Sequence, residues 1–360
     1  SITGSCGKTT LKEMVGYTLG KISKTTYSQK SYNNKYGVPL SLFNLKHNDN
    51  FGVLEVGMDK KGEIDNLTKI IKPDLGIITN ISYAHSKNFK NIKQIASAKA
   101  EIMNNIKEGG IIVLNSDDNF YSYHKRLAMK KKLKVISFGI ENKSSMARLI
   151  KIRKMKNKYE LFFNINNVNV SFYSNNDNKS NLYNILATLT LINLYQDIKR
   201  LKKNIFLGFK IPNGRGDISK IKIKRKIIKF VDESYNANPL SVYSAIKNFD
   251  LINNGKGKKN IILGDMLELG KHSKKLHEKL ASVINSSKID NVHIYGKNIK
   301  HTFKKIVPKK KGTILRHKND IISLIKNDIN NNDYLMIKGS NATGLNDMIT
   351  KIKKGQYNAL

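Results

Sequence analysis

"SITGSCGKTT", residues 1–10, decides how the rest of the chain is read. Gly4 and Gly7 let the backbone turn so that several N–H groups face one anion. A helix opening near Lys8 adds the positive end of its dipole. Lys8 can reach terminal phosphates, and Thr9 or Thr10 can offer a hydroxyl to Mg2+. Ser5 and Cys6 fill the loop between the glycines. The longer Walker A pattern asks for glycine where Ile2 stands, so the match is to the shorter TGxxGKT form. A plain glycine turn capping a helix is the bland alternative, and the strand–loop–helix context argues against it. Such a loop normally follows a buried strand; here only Ser1 and Ile2 precede it.

Outward from the loop the chain alternates. Residues 8–22 carry Leu11, Met14, Val15 and Leu19 at helical spacing. Residues 51–58 read as a short apolar strand ending in Gly57, 69–81 as a turn followed by a buried strand, and 92–106 as a helix. Strands follow at 109–118 and 132–139. This is a βα pattern and predicts a mostly parallel sheet. Residues 146–174 instead alternate over short stretches, as antiparallel hairpins do, and a helix is expected over 181–198. "GFKIPNGRGDI" (208–218) has the Pro and Gly of a linker. Beyond it the alternation restarts, with strands expected within 226–234, 259–266, 291–296 and 333–340. The expectation is an α/β protein: a P-loop ATPase domain over 1–210 with a small antiparallel portion, then a Rossmann-like α/β domain over 211–360.

Composition bounds the function. The 360 residues contain 39% hydrophobic side chains, enough for real cores, and no apolar run long enough to span a bilayer. One Cys excludes an intrachain disulfide and fits a reducing compartment. The net charge of +38 raises nucleic-acid binding as an alternative. Yet Lys is spread along the chain, Trp is absent and Pro numbers 5, which fits nucleotide bias toward AT-rich codons. No zinc finger, nucleic-acid-reading module or aromatic platform stands out in the sequence.

Further stretches stand in order: "NNKYGVPLSL" (33–42), "LEVGMDKKGEI" (54–64), "PDLGIITNISYAHSKNF" (73–89), "AKAEI" (98–102), "NLYNILA" (181–187), "DESYNANP" (232–239), "LGDMLELG" (263–270) and "KGSN" (338–341). With TGxxGKTT, the chain resembles the Mur ligase family along essentially its whole length. These are ATP-dependent enzymes that add amino acids to the peptidoglycan precursor. "SYNANP" and "LGDMLELG" point to the branch that joins D-alanyl-D-alanine to UDP-N-acetylmuramoyl-tripeptide. They argue against the tripeptide-forming sister and against folylpolyglutamate synthase. The family has an N-terminal domain for the UDP-sugar, so this chain reads as a piece that starts at the central domain, binding ATP but ligating poorly alone. The resemblance implies ATP and Mg2+ as cofactors and the two small molecules as substrates. It also implies a cytoplasmic monomer, with no specific nucleic acid and no membrane insertion.

The resemblance also assigns roles. Lys8 and Mg2+ would neutralise the γ-phosphate, with Thr9 and Glu55 as metal ligands; Glu55 ends a strand, where α/β sheets place ligands. His85 stands at the family's metal-contacting histidine, although Lys87 replaces a usual acidic residue beside it. Lys99 stands at the family's carbamylated lysine. Asn181 and Asn184, one turn apart, would meet the nucleotide, as would Arg215 in the linker and Glu233 at the ribose. Asn33, Asn34, Tyr235, Asn236, Asn238, Asp265, Glu268, Lys338, Ser340 and Asn341 would face the substrates, with His277 on the same domain face. Cys6, beside a helix N-terminus and Lys8, is expected to be a reactive thiol whose modification blocks ATP.

Overall fold

The computed structural model describes residues 1–223 and 225–355. The chain divides into two compact units, Ser1–Lys210 and Ile211–Leu360.

In the first unit the strands are β1 (Ile2–Thr3), β2 (Thr25–Tyr27), β3 (Phe51–Val53), β4 (Leu75–Ile78), β5 (Ile111–Asn115), β6 (Lys134–Gly139), β7 (Ala147–Lys154), β8 (Tyr159–Ile165) and β9 (Val168–Ser174). The helices are α1 (Lys8–Gly20), α2 (Gly37–Phe43), α3 (Glu63–Ile71), α4 (Ile92–Ala100), α5 (Tyr121–Lys130) and α6 (Lys179–Ile192). The main sheet runs β1-β4-β5-β6-β7-β8-β9, parallel through β7 and antiparallel from β7 to β9. β2 and β3 form a parallel pair, and Glu55 just beyond β3 bridges Ile2 of β1.

Period-two alternation explains the layering. Ile77 and Val113 point into a core shared with Leu11 and Met14 of α1 and Ile185 and Leu186 of α6. Their neighbours Ile78, Ile112 and Leu114 point the other way, toward Ile64, Leu67, Ile95 and Ala128 of α3, α4 and α5. Both faces of these strands are apolar, so helices cover both. Truncating such a residue, as in Leu186→Ala, costs about 2–5 kcal/mol.

Two helices end sooner than their periodicity suggests. The helix expected over 92–106 is α-helical only to Ala100, then tightens to a 3-10 turn over Glu101–Asn105. The turn aims the buried Glu101 carboxylate at the N-terminus of α3, where it accepts from the N–H groups of Gly62 (2.8 Å) and Asp65 (3.3 Å). Anionic capping of a helix start offsets the lost helical bonds. The helix expected to reach residue 198 stops at Ile192, and Asp197 starts a separate 3-10 turn by accepting from Lys199 N–H.

The second unit holds β10 (Asp217–Ile223), β11 (Lys226–Glu233), α7 (Pro239–Leu251), β12 (Lys259–Gly264), α8 (Ser273–Asn285), β13 (Asn291–Tyr295), α9 (Lys300–Lys304), β14 (Lys311–Leu315), α10 (Lys318–Asn327), β15 (Tyr334–Lys338) and α11 (Leu345–Lys353). Its sheet order is β10-β11-β15-β12-β13-β14, parallel except for the edge hairpin β10–β11. β10 takes in the last two residues of the Gly- and Pro-containing stretch 208–218, and β14 lies outside the four strands expected here. The fold class is the α/β architecture expected, with the antiparallel portion at β7–β9.

Candidate active site

The phosphate loop is shaped by its neighbours. Gly4 has φ 146, and a Cβ there would lie 1.9 Å from Thr79 Oγ1, so glycine is required. Gly7 is left-handed (φ 81), and no side chain caps α1. A helix start without a side-chain cap leaves its first N–H groups suited to an anion. Ser5 and Cys6 donate their N–H groups to Asn80 O and Oδ1, both at 2.9 Å. Thr79 Oγ1 and Asn80 Nδ2 donate back to Cys6 O at 2.6 and 3.2 Å. Ser5 Oγ donates to Ser82 O and accepts from Ser82 N–H. Lys8 folds over the loop, its Nζ donating to Gly4 O at 2.9 Å. Thr10 follows on α1, half-buried. The Asn184 carboxamide oxygen lies 3.5 Å from where a Cβ on Gly7 would sit. Asn181 turns elsewhere: its amide donates to Ser174 Oγ (3.1 Å) and Asn176 O (3.4 Å) and so ties down the loop before α6.

Beside the loop stands a buried oxygen cluster. Thr9 Oγ1 donates to Glu55 Oε2 at 2.7 Å, Asn33 Nδ2 donates to Glu55 Oε1 at 2.7 Å, and Ser31 Oγ lies 3.4 Å from Thr9 Oγ1. Glu55 is only 1% exposed. A desolvated carboxylate paired with a hydroxyl, at the mouth of a phosphate loop, is the hard oxygen donor set that Mg2+ takes. Lys99, 2% exposed on α4, lies within the field of Lys8, Cys6 and Glu55. Burial first, and then the Lys8 charge, push its amine well below the ordinary lysine range. Lowering an amine's pKa raises the share of its unprotonated form, the form that can add CO2 and become a carbamate anion.

His85 sits in left-handed backbone (φ 55), its Nδ1 2.8 Å from Asp59 Oδ1. Lys87 is exposed, and the acid beside this histidine is Asp59. It lies inside the quoted "LEVGMDKKGEI", but nothing local marks it as a partner. Thr79 and Asn80 were missed in the same way. So was Lys12, wholly buried on α1 and donating to Ser28 O and to Lys30 O (3.0 Å), thereby holding the turn before Ser31 and Asn33.

Other expected residues serve the scaffold. Asn34 Oδ1 accepts from Tyr36 and Gly37 N–H groups at the start of α2. In the second unit, Asn238 caps α7 through a reciprocal box with Ser241, with Pro239 in the first turn. Asn236 Oδ1 accepts from Ala237 N–H. Asp265 was expected to face the substrates. Instead its buried carboxylate accepts from Lys297 N–H (3.1 Å), Ile299 N–H (2.8 Å) and Asn298 Nδ2 (3.4 Å). Lys338 was expected to face the substrates, but its Nζ pairs with Glu233 Oε2 at 2.9 Å and donates to Asn236 O. Ser340 Oγ donates to Ala237 O and accepts from Leu267 N–H. Glu268 and Asn341 are exposed. His277 is wholly buried rather than on the face: its Nε2 accepts from Met266 N–H, Nδ1 faces Ser273 O, and burial lowers its pKa.

Arg215 lies over the Tyr235 ring, 4.3 Å from its centroid. Its loop is fixed by Gly214 N–H to Asp217 Oδ1 (2.7 Å) and by Tyr235 N–H to Gly214 O (3.1 Å). Lys353 bridges Asp217 and Asp232 at 2.6 Å each.

A glycine loop opening a helix, backed by a buried Thr–Glu pair at a strand end, defines a P-loop protein suited to a metal–triphosphate. The comparisons give the particular family. Residues 2–192 match the Mur ligase middle domain and 220–341 match the Mur ligase, glutamate ligase domain, and the chain belongs to the Mur ligase family. It is 30% identical over 367 residues to UDP-N-acetylmuramoyl-tripeptide–D-alanyl-D-alanine ligase of Buchnera aphidicola, covering 100% of this chain and 76% of the relative. The same ligase of Bacillus subtilis is 29% identical over 355 residues, covering 97% of this chain and 74% of that one. Among solved structures, MurF ligase of Thermotoga maritima in complex with ADP has a TM-score of 0.83 at 24% identity, covering 99% of this chain and 79% of the other.

Proposed function

We propose that the chain catalyses the ATP-dependent ligation of D-alanyl-D-alanine to UDP-N-acetylmuramoyl-tripeptide, as a monomer in the cytoplasm. The observation that carries this is the phosphate loop beside the buried Thr9–Glu55 pair, with the buried Lys99 amine in their electrostatic field, in a chain whose relatives bear that name. The tripeptide carboxylate oxygen attacks the γ-phosphorus and ADP leaves, giving an acyl phosphate. The amine nitrogen of D-Ala-D-Ala then attacks the acyl carbon, loses a proton, and phosphate departs. Both steps bring anions together, so the residues must neutralise charge.

Lys8 leaves Gly4 O for the terminal phosphates, and the α1 N-terminus holds the oxygens beside them. Thr9 and Glu55 would hold Mg2+, which supplies further charge neutralisation. Lys99 as a carbamate, and His85 oriented by Asp59, would serve a second cation. Asn184 meets the nucleotide at Gly7. Within the second unit, Arg215 offers a cation fixed on Tyr235, and Glu233 a carboxylate paired with Lys338. The test is ADP release with UDP-tripeptide and D-Ala-D-Ala, with the product read by mass spectrometry. Turnover that needs both substrates supports the reading; turnover driven by polynucleotide instead would overturn it.

A further inference from the structure

The antiparallel end of the first unit's sheet, β7–β8–β9, has an outer face formed by alternate residues. Cross-strand partners share a face, and two rows on this one are Arg153, Glu160, Tyr173 and Lys151, Phe162, Ser171. Beyond them lie Arg148, Asn164 and Asn169. The intervening Leu161, Phe163 and Phe172 point into the core, so these rows point outward. Phe162 and Tyr173 are partly exposed and sit diagonally on neighbouring strands, about 7–8 Å apart by sheet geometry. Lys151 Nζ and Arg153 Cζ lie 4.8 and 5.2 Å from the Phe162 ring centroid, and Lys158 Nζ lies 3.5 Å from that of Tyr173. The carboxylate in these rows, Glu160, is buried and already shared between Arg153 (3.4 Å) and Lys203 (3.9 Å). Composition alone would scatter lysines; it would not place two rings at diagonal positions on neighbouring strands of one sheet face among cations.

We propose that this face binds single-stranded nucleic acid without sequence preference. Two rings on adjacent antiparallel strands form a stacking platform for successive unpaired bases, and the flanking cations track the phosphates. A base arriving on either ring displaces a flexible Lys or Arg stem, whose charge then pairs with the adjoining phosphate. A duplex, with its bases already stacked, cannot use the rings.

The test is fluorescence anisotropy of the whole chain with labelled oligouridine of about 20 nucleotides, a length that spans a stacking site of this kind. Phe162→Ser with Tyr173→Ser leaves the net charge unchanged and should weaken binding about tenfold or more. Lys151→Gln with Arg153→Gln should weaken it clearly more than the charge-matched pair Lys274→Gln, Lys275→Gln on α8, both exposed. On the unaltered protein, 5-iodouridine photo-crosslinks should land on Phe162 or Tyr173. Equal losses from the two charge pairs, an unchanged Kd without the rings, or crosslinks elsewhere would each overturn the proposal. So would binding to phosphatidylglycerol vesicles with none to oligouridine, which would make the face a membrane contact.

Discussion

The strand ends of the two units present similar side chains and use them differently. In the first unit the ionisable groups gather at the phosphate loop: Lys8 folds over it, Glu55 accepts from Thr9, and Lys99 lies within the field of both Lys8 and Glu55. In the second unit the same kinds of groups are consumed by the scaffold. Asp265 holds backbone N–H groups, Lys338 is neutralised by Glu233, and Asn238 caps a helix. Polar residues at the ends of parallel strands are therefore not equivalent. One set is arranged for an incoming charge, and the other keeps loops in shape.

The largest effect that could break this contrast comes from Lys8→Ala. Removing the cation beside the transferred phosphoryl should lower the single-turnover ATP rate about a thousandfold, while the urea midpoint stays near that of the parent. A rate near normal would remove the first unit's claim to be the charged site. Glu55→Gln should cost about a hundredfold and raise the Mg2+ concentration needed for half-maximal rate.

Lys99→Met sharpens the contrast, because function and stability should move in opposite directions. Activity should fall to background. In bicarbonate-free buffer the folded protein binds less proton at Lys99 than the unfolded chain does, from its depressed folded pKa up to the ordinary 10.5. Stability of the parent therefore rises with pH across that window. The variant, spared the buried amine, should melt higher at pH 7, and its advantage should shrink as pH approaches 10.5. Thermal scans at several pH values would show this; a variant that melts lower throughout contradicts it.

In the second unit the signs differ. Asp265→Asn should cost about 1–3 kcal/mol of stability by weakening the bonds to Lys297 and Ile299, with little change in ATP affinity. A changed KM for D-Ala-D-Ala at unchanged stability would instead make Asp265 a substrate contact. The smallest effect is Asn238→Ala, about 1 kcal/mol from the lost α7 cap, read by chemical denaturation.

These differences mark what a sequence can carry. The phosphate loop was legible because glycine spacing, Lys8 and the helix period are all local. The α/β alternation was legible because buried strands are short apolar runs. β10 was hidden because its Lys-rich sequence follows a Gly- and Pro-containing stretch, and its hydrophobic alternation is confined to Ile221 and Ile223. The helix over 92–106 was overdrawn because only tertiary structure supplies the N–H groups that turn Glu101 aside. Asn80 and Asp59 could not be assigned roles, since each acts on a residue far along the chain. Asp265 and Glu55 look alike in sequence, both acids at strand ends; only the list of neighbours separates a loop clamp from a ligand for a cation.

The bonds from Thr79, Asn80 and Ser82 onto residues 5 and 6 have a consequence for binding. The loop's conformational entropy is already lost when the sheet folds, so a phosphate that enters it has little backbone to order. Its affinity should then respond steeply to ionic strength and weakly to loop flexibility. The amides of Ser5 and Cys6 should exchange with deuterium slowly even in the nucleotide-free protein, unlike those of a loop that closes around its ligand.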